Sequence, residues 1–239
     1  MKKLLFSVLF YFITTQLFAQ ATEFSFGVNG GLMHFSGSTA TSTSAINEGV
    51  VNYTNNPYGS KNGLGYGIYI QGQYITVSKF ILGLQLGTDN LNSKVTITEI
   101  NRSAVPFPIK ATGSSAVNAH YLNANPYAGM RFVLSNIKLD ITAGLEFAYV
   151  ADAYDEGEAK NSYGTKYKTN NDIKNINMDT RLKLGVAAHY DRLGITLSYA
   201  HGLSNYLNGS LGTMAGGTGN TTFSAHTEVI RLGINCIVF

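Results

Sequence analysis

Residues 137–151 read Ile-Lys-Leu-Asp-Ile-Thr-Ala-Gly-Leu-Glu-Phe-Ala-Tyr-Val-Ala. The odd positions Ile137, Leu139, Ile141, Ala143, Leu145, Phe147 and Tyr149 are all apolar. The even positions Lys138, Asp140, Thr142, Gly144, Glu146 and Ala148 are polar or small. Strict period-two alternation over this length predicts a β-strand long enough to cross a bilayer.

The pattern recurs along the chain. Met178, Thr180, Leu182, Leu184, Val186, Ala188 and Tyr190 alternate with Asp179, Arg181, Lys183, Gly185, Ala187 and His189. After Asp191-Arg192, Leu193, Ile195, Leu197 and Tyr199 alternate with Gly194, Thr196, Ser198 and Ala200. Further strands are expected over Phe24–His34, Leu64–Ile75, Phe80–Thr88, His120–Leu134 and about Thr227–Phe239, which makes eight. Short turns fall near Thr76-Val77-Ser78, Ser135-Asn136 and Asp191-Arg192, and long polar stretches at about 36–61, 89–118, 152–173 and 204–224. Short turns on one side and long loops on the other are the transmembrane-barrel arrangement. A soluble sandwich has no reason to sort its connections this way. The expected fold is all-β: an eight-stranded antiparallel up-and-down transmembrane β-barrel.

Ring side chains agree with it. Tyr74, Phe80, Phe132 and Tyr190 sit on apolar faces beside the short turns, and Tyr66, Phe147, Tyr149 and Tyr199 towards the long ones. Two such bands are interfacial girdles.

Composition narrows the rest. Charged residues make up 13% of the 239, with 26 Gly, 15 Tyr, 4 Pro and a net charge of +3, a balance too small and scattered for nucleic acid. The single Cys236 excludes an internal disulfide and reads as a small apolar residue. Met1-Lys2-Lys3, an apolar run from Leu4 to Ile13 and Ala19 have the form of a secretory signal. Cleavage is expected after Ala19, with Gln20 as the alternative site, leaving residues 20–239 as one barrel domain. No later stretch approaches the eighteen apolar residues of a membrane helix.

The signal ending Ala19-Gln20, the first strand Phe26-Gly27-Val28-Asn29-Gly30-Gly31-Leu32, the short turns and the final Phe239 resemble the outer-membrane β-barrel (PorT-like, OmpA/OmpX-like porin-family) proteins of Bacteroidetes-type bacteria. The resemblance covers the whole chain after the signal and rests on pattern. It implies an accessory part in a larger envelope transport or secretion complex. One departure stands out: such last strands place the final aromatic on the lipid face. Here Ile230, Leu232, Ile234, Cys236 and Val238 form the apolar face, while Phe239 shares parity with Arg231 and Asn235. A late bulge would reconcile the two.

With the apolar faces on lipid, the lumen receives Gln71, Gln73, Gln85, Asn123, Asn125, Arg131, Lys138, Asp140, Glu146, Asp179, Arg181, Lys183 and Arg231. The opposite parity would cost roughly 2–4 kcal/mol per Lys or Arg at midplane. An eight-stranded lumen is only wide enough for side chains. These charges are therefore expected to pair as a structural network, with a small gated pore as the alternative.

Three stretches offer candidate chemistry. His34 and Ser36 could pair a base with a hydroxyl, with Glu48 orienting the imidazole for lipid hydrolysis, though so short a spacing is common by chance. Asp152, Asp155, Glu156 and Glu158 are expected in a solvated loop, with a divalent cation as the alternative ligand. Gly63-Leu64-Gly65-Tyr66-Gly67 has no helix after it and reads as small lumen-facing residues, and Gly212–Gly219 as a loop tip. No catalytic residue, metal site or cofactor is assigned. The expected function is non-enzymatic, structural or surface-binding, with recognition in the loops, where Tyr53, Tyr58, Tyr154, Tyr163, Tyr167 and Tyr206 offer contacts. Expected partners are outer-membrane lipids, lipopolysaccharide and, as a candidate, another envelope protein.

Overall fold

A computed structural model describes residues 21–102, 106–173, 176–207 and 223–239. Its strands are β1 (Ala21–Ser36), β2 (Thr43–Glu48), β3 (Tyr53–Thr54), β4 (Lys61–Ile75), β5 (Phe80–Arg102), β6 (Ile109–Leu134), β7 (Ile137–Asn161), β8 (Lys166–Asp172), β9 (Met178–Tyr190), β10 (Leu193–Gly202) and β11 (His226–Ile237). Eight of them form a closed antiparallel ring in the order β1-β4-β5-β6-β7-β9-β10-β11. Closure comes from β11 pairing back onto β1, from Ser25 opposite Ile237 to Ser36 opposite His226. The ring leaves no unpaired edge, which a bilayer would not tolerate.

The short turns close three hairpins. Lys79, Ser135 and Asp191 take φ of 67°, 54° and 53°, the left-handed conformation that tight hairpins use to match strand twist. Between them the barrel wall is inside-out relative to a soluble protein. Leu82, Leu84 and Leu86 of β5 face outward with Ile141 and Leu145 of β7, while Arg131, Asp140 and Glu146 are buried inside.

The stretches 89–118 and 152–173, expected as loops, are largely strand. β5 runs on to Arg102, β6 starts at Ile109, and β7 reaches Asn161 before β8. Above the membrane the polarity inverts. On β5 the inward face passes from Gln85 and Asp89 to Leu91, Val95 and Ile97, while the outward face becomes Asn90, Asn92 and Lys94. Water replaces lipid outside, so apolar side chains belong inside again. On β7 a one-residue bulge at Ala151, where Tyr121 opposes Val150 and His120 opposes Asp152, shifts the inward parity from even to odd. A pattern search that follows a single apolar face stops at this inversion.

The projecting strands curl into a small second structure. β2 runs parallel to β5, β3 pairs β2, and β8 pairs β7. β3 meets β8 where Asn52 Nδ2 donates to the Lys168 carbonyl at 3.2 Å and Asn171 Nδ2 donates to that of Asn52 at 2.8 Å. Ile46, Val95, Ile97, Ile100, Ala159 and Tyr167 fill it, each large aliphatic worth roughly 1.5–3 kcal/mol of burial.

The last strand carries the bulge its sequence calls for. Val238 N donates to Phe24 O and Phe24 N donates to Phe239 O, both at 2.7 Å, so two residues oppose one. Phe239 is thereby turned outward, its ring 5.4 Å from that of Phe24.

Candidate functional site

The lumen is built in layers. Nearest the short turns, the Arg131 guanidinium is held from two sides. It donates to both oxygens of Glu23 at 2.7 and 2.8 Å and to both oxygens of Asp140 at 2.7 Å. Such paired bonds are the strongest a guanidinium makes. Lys138 reaches Glu23 at 3.4 Å. Gln73 donates to Glu23 at 2.9 Å and accepts from the Tyr127 hydroxyl at 3.0 Å. His189 lies 3.8 Å from Asp140, and its Nε2 is 3.2 Å from Asn235. Ile75 and Ile81 pack with Tyr127 at this end.

The second layer centres on Glu146. One oxygen accepts from Arg181 at 3.0 Å and Arg231 at 2.8 Å, the other from Lys183 at 2.9 Å. Arg231 also pairs with Asp89 at 2.7 Å, and Arg181 with Asp179 at 2.8 Å. Asp179 accepts further from Thr227 at 2.6 Å and Tyr206 at 3.3 Å. Three carboxylates thus face three cations in this layer, and Glu23 and Asp140 face Arg131 and Lys138 in the layer below. Each layer is neutral, which offsets the cost of taking charge out of water.

Between the layers lies a cavity of about 80 Å³ lined by Gln71, Gln73, Gln85, Asn123 and Asn125. Lys183 donates to Gln85 at 2.7 Å, and Gln71 donates to Gln73 at 3.2 Å. The amide oxygens of Asn123 and Asn125 are buried without a protein donor, so the lining suits a few waters.

Above the charges the lumen is stopped by apolar side chains. Phe35 packs edge-on against Tyr58 and Tyr206, at 5.1 Å in each case. Met33, Leu91, Tyr121 and Val229 belong to the same cluster. The Tyr121 and Tyr206 hydroxyls share a hydrogen bond of 2.8 Å, and Arg181 lies 4.4 Å above the Tyr121 ring. The connection holding Tyr58 and the segment holding Tyr206 thus fold into the mouth. Tyr58, Tyr167 and Tyr206 are buried, so of the tyrosines expected to offer contacts, Tyr53 and Tyr163 are the exposed ones.

Sequence parity therefore brings together Gln71, Gln85, Arg131, Lys138, Asp140, Glu146, Asp179, Arg181 and Lys183. It misses Glu23 and Asp89, one residue beyond the strand ends it draws. Both share inward parity with neighbours, Glu23 with Ser25 and Asp89 with Gln85, and extending the alternation by a step would have found them.

The other candidates come apart. His34 Nδ1 lies 2.9 Å from Asn62 Oδ1, Ser36 donates to Glu228 at 2.9 Å, and Glu48 pairs with Arg102 at 2.8 Å. Glu228 also accepts from Tyr199 and lies 2.7 Å from His201 Nδ1. It is a rim carboxylate gathering donors on the outer surface. The acidic stretch is strand, so its carboxylates divide between faces. Asp155 points inward to Thr54 and Ser115, while Asp152, Glu156 and Glu158 face out. Among the described residues no group of three His, Cys, Asp or Glu is placed to hold a metal. Gly63, Gly65 and Gly67 face inward, with Leu91 over Gly65 and Asp89 over Gly67. The expected signal and the whole of Gly212–Gly219, which falls within residues 208–222, lie outside the described residues.

Solved structures to which the chain is similar include the attachment invasion locus protein Ail of Yersinia pestis, in complex with the heparin analogue sucrose octasulfate. It is 10% identical over 90% of this chain and 98% of its own, with a TM-score of 0.35. Neisserial surface protein A is also 10% identical, over 90% and 98% of the two chains, with a TM-score of 0.36. No curated protein sequence matches the chain. The model of the outer membrane protein beta-barrel domain family matches residues 18–208, and the chain belongs to that family.

Proposed function

We propose that this chain is a non-enzymatic outer-membrane protein that acts through its extracellular extension while its lumen stays shut. The supporting observation is double closure: two neutral layers of interlocked charge, and above them an aromatic stopper. A conducting path would have to break both. In this reading residues 1–19 are an export signal removed after Ala19, and Gln71, Gln85, Arg131, Lys138, Asp140, Glu146, Asp179, Arg181 and Lys183 have a structural role. The girdles and the outer rim meet lipid and lipopolysaccharide, and the extension is the part free to engage another envelope protein or an external surface. Its PorT-like resemblance favours the accessory form of this role.

Reconstitution in planar bilayers tests it. The wild-type barrel is expected to be silent, and Arg131→Gln, Lys138→Gln and Arg181→Gln to remain silent because the packing of Phe35, Tyr58 and Met33 still closes the mouth above them. Steady conductance in the wild type, or conductance that rises on Arg181→Gln, would establish the gated pore in its place. Co-purification after crosslinking in the native membrane then separates a dedicated partner from a lone surface protein.

A further inference from the structure

The extension ends, away from the membrane, in three described stretches: 49–52, 106–108 and 162–165. They carry Val50, Phe107 and Tyr163 at 109%, 75% and 85% exposure, with Val51 also exposed. The stretches lie side by side. Glu48 and Arg102 pair beneath the first two, Ser162 Oγ donates to the Lys110 carbonyl at 3.4 Å, and Asn52 Nδ2 donates to that of Lys168. The apolar side chains therefore crown one surface and are not scattered over several.

Charge surrounds them. Arg102, Lys110, Lys160, Lys166 and Lys168 stand within a few residues of the tips, against Glu48, Glu99 and Glu158. Glu158 is shared by Lys166 and Lys168 at 3.4 and 3.7 Å, so the crown keeps a positive excess. The strands rise about a dozen residues above the outer girdle, roughly 30 Å once their tilt is allowed for. The crown thus stands well clear of its own bilayer.

We infer that the crown docks on an anionic phospholipid bilayer apposed to the cell surface. Valine and phenylalanine tips enter the headgroup layer, Tyr163 stays at its polar boundary, and the lysines meet lipid phosphates. Side chains that protrude singly from turn apices need a partner that deforms around them, and a fluid interface does so. Aromatic tips and long cationic stems suit that boundary. The positive excess complements anionic lipid, whereas a second crown would meet its own charge sign. This inference rests on the reading that the extension is the recognising part.

The test uses the barrel in phosphatidylcholine nanodiscs, mixed with phosphatidylcholine vesicles with or without phosphatidylserine and assayed by co-sedimentation. Binding is expected with phosphatidylserine and is expected to weaken with salt. The variant V50S/V51S/F107S/Y163S is expected to lose about tenfold or more. Lys110→Gln with Lys168→Gln is expected to lose roughly fivefold per lysine. Unchanged gel mobility of the unboiled variants shows that the barrel is intact. No binding by the folded wild type, binding undiminished in the apolar variant, or nanodiscs pairing with one another without vesicles would each overturn the inference. Conductance is read separately, so a silent barrel that ignores these vesicles loses this inference alone.

Discussion

The ring of Tyr127 lies across Gly83, its cross-strand partner, so closely that a Cβ added to the glycine would overlap the phenol carbons. Tyr69 covers Gly27 on the neighbouring β1–β4 pair in the same way. An inward glycine beneath an inward tyrosine lets a ring lie flat in a lumen too narrow for two side chains at one level. Tyr127 is then placed to donate to Gln73. Gly83→Ala is expected to destabilise by about 1–3 kcal/mol, read as a lower urea midpoint in detergent micelles. In Tyr127→Ala the same change should cost much less; equal costs in the two backgrounds would disprove the contact.

Glu146 is the acceptor shared by three cations, and Glu146→Gln leaves them with reduced neutralisation in a buried layer. Removing one member of a buried ion pair costs about 3–5 kcal/mol. The unboiled variant should therefore lose its compact gel mobility at a lower temperature than the wild type. Lys138→Gln, at a side chain 41% exposed, should change that temperature little.

The stopper and the upper charge layer are joined through Tyr206, whose hydroxyl reaches both Tyr121 and Asp179. Tyr206→Phe keeps the packing and removes those bonds, an expected loss of about 0.5–1.5 kcal/mol. Phe35→Ala removes its packing against Tyr58 and Tyr206 and is expected to cost about 3–5 kcal/mol. Urea titration of both variants separates the two, and the reverse order would refute the assignment.

Phe239 reaches the lipid face because Val238 is the extra residue of a bulge. Deleting Val238 brings the phenylalanine to the same face without the bulge, so barrel yield in the outer-membrane fraction should be retained. Phe239→Ser keeps the bulge and removes the outward ring, and its yield should fall. Loss of assembly on deleting Val238 alone would show that the bulge itself is required.

On the extension, the Lys166 ammonium beside Glu158 holds that carboxyl below its ordinary 4.5 through a hydrogen bond and its charge. A depressed folded value means that the pair supports the fold above the ordinary carboxylate range and that the support is lost as pH falls through the folded value. Lys166→Ala should raise the carboxyl titration midpoint, read by carbon NMR of labelled glutamate. An unmoved midpoint would assign the shift to other neighbours.

Much of the barrel was legible because a bilayer enforces one rule on every residue of a spanning strand. Lys138, Asp140 and Glu146 must face in once Leu139, Ile141 and Leu145 face lipid, and the same parity places Arg131, Arg181 and Lys183. The same parity set Phe239 off the apolar face, a mismatch that the bulge at Val238 resolves. The rule failed at Leu91 and Val95, where water replaces lipid, the apolar face changes side, and a strand therefore reads as a loop. Glu23 and Asp89 were lost for a related reason, since strand ends carry few repeats from which to judge phase.

Local alternation in the sequence was enough to indicate eight strands with one apolar and one polar face each, because lipid exposure acts on each residue separately. Which charges neutralise one another was decided only by the tertiary structure. Glu23 and Arg131 are 108 residues apart and share a layer only after the ring closes. The stopper of Phe35, Tyr58 and Tyr206 and the crown of Val50, Phe107 and Tyr163 are likewise products of closure. Each joins segments whose meeting depends on strand order and register, and neither is written in the neighbourhood of any one of them.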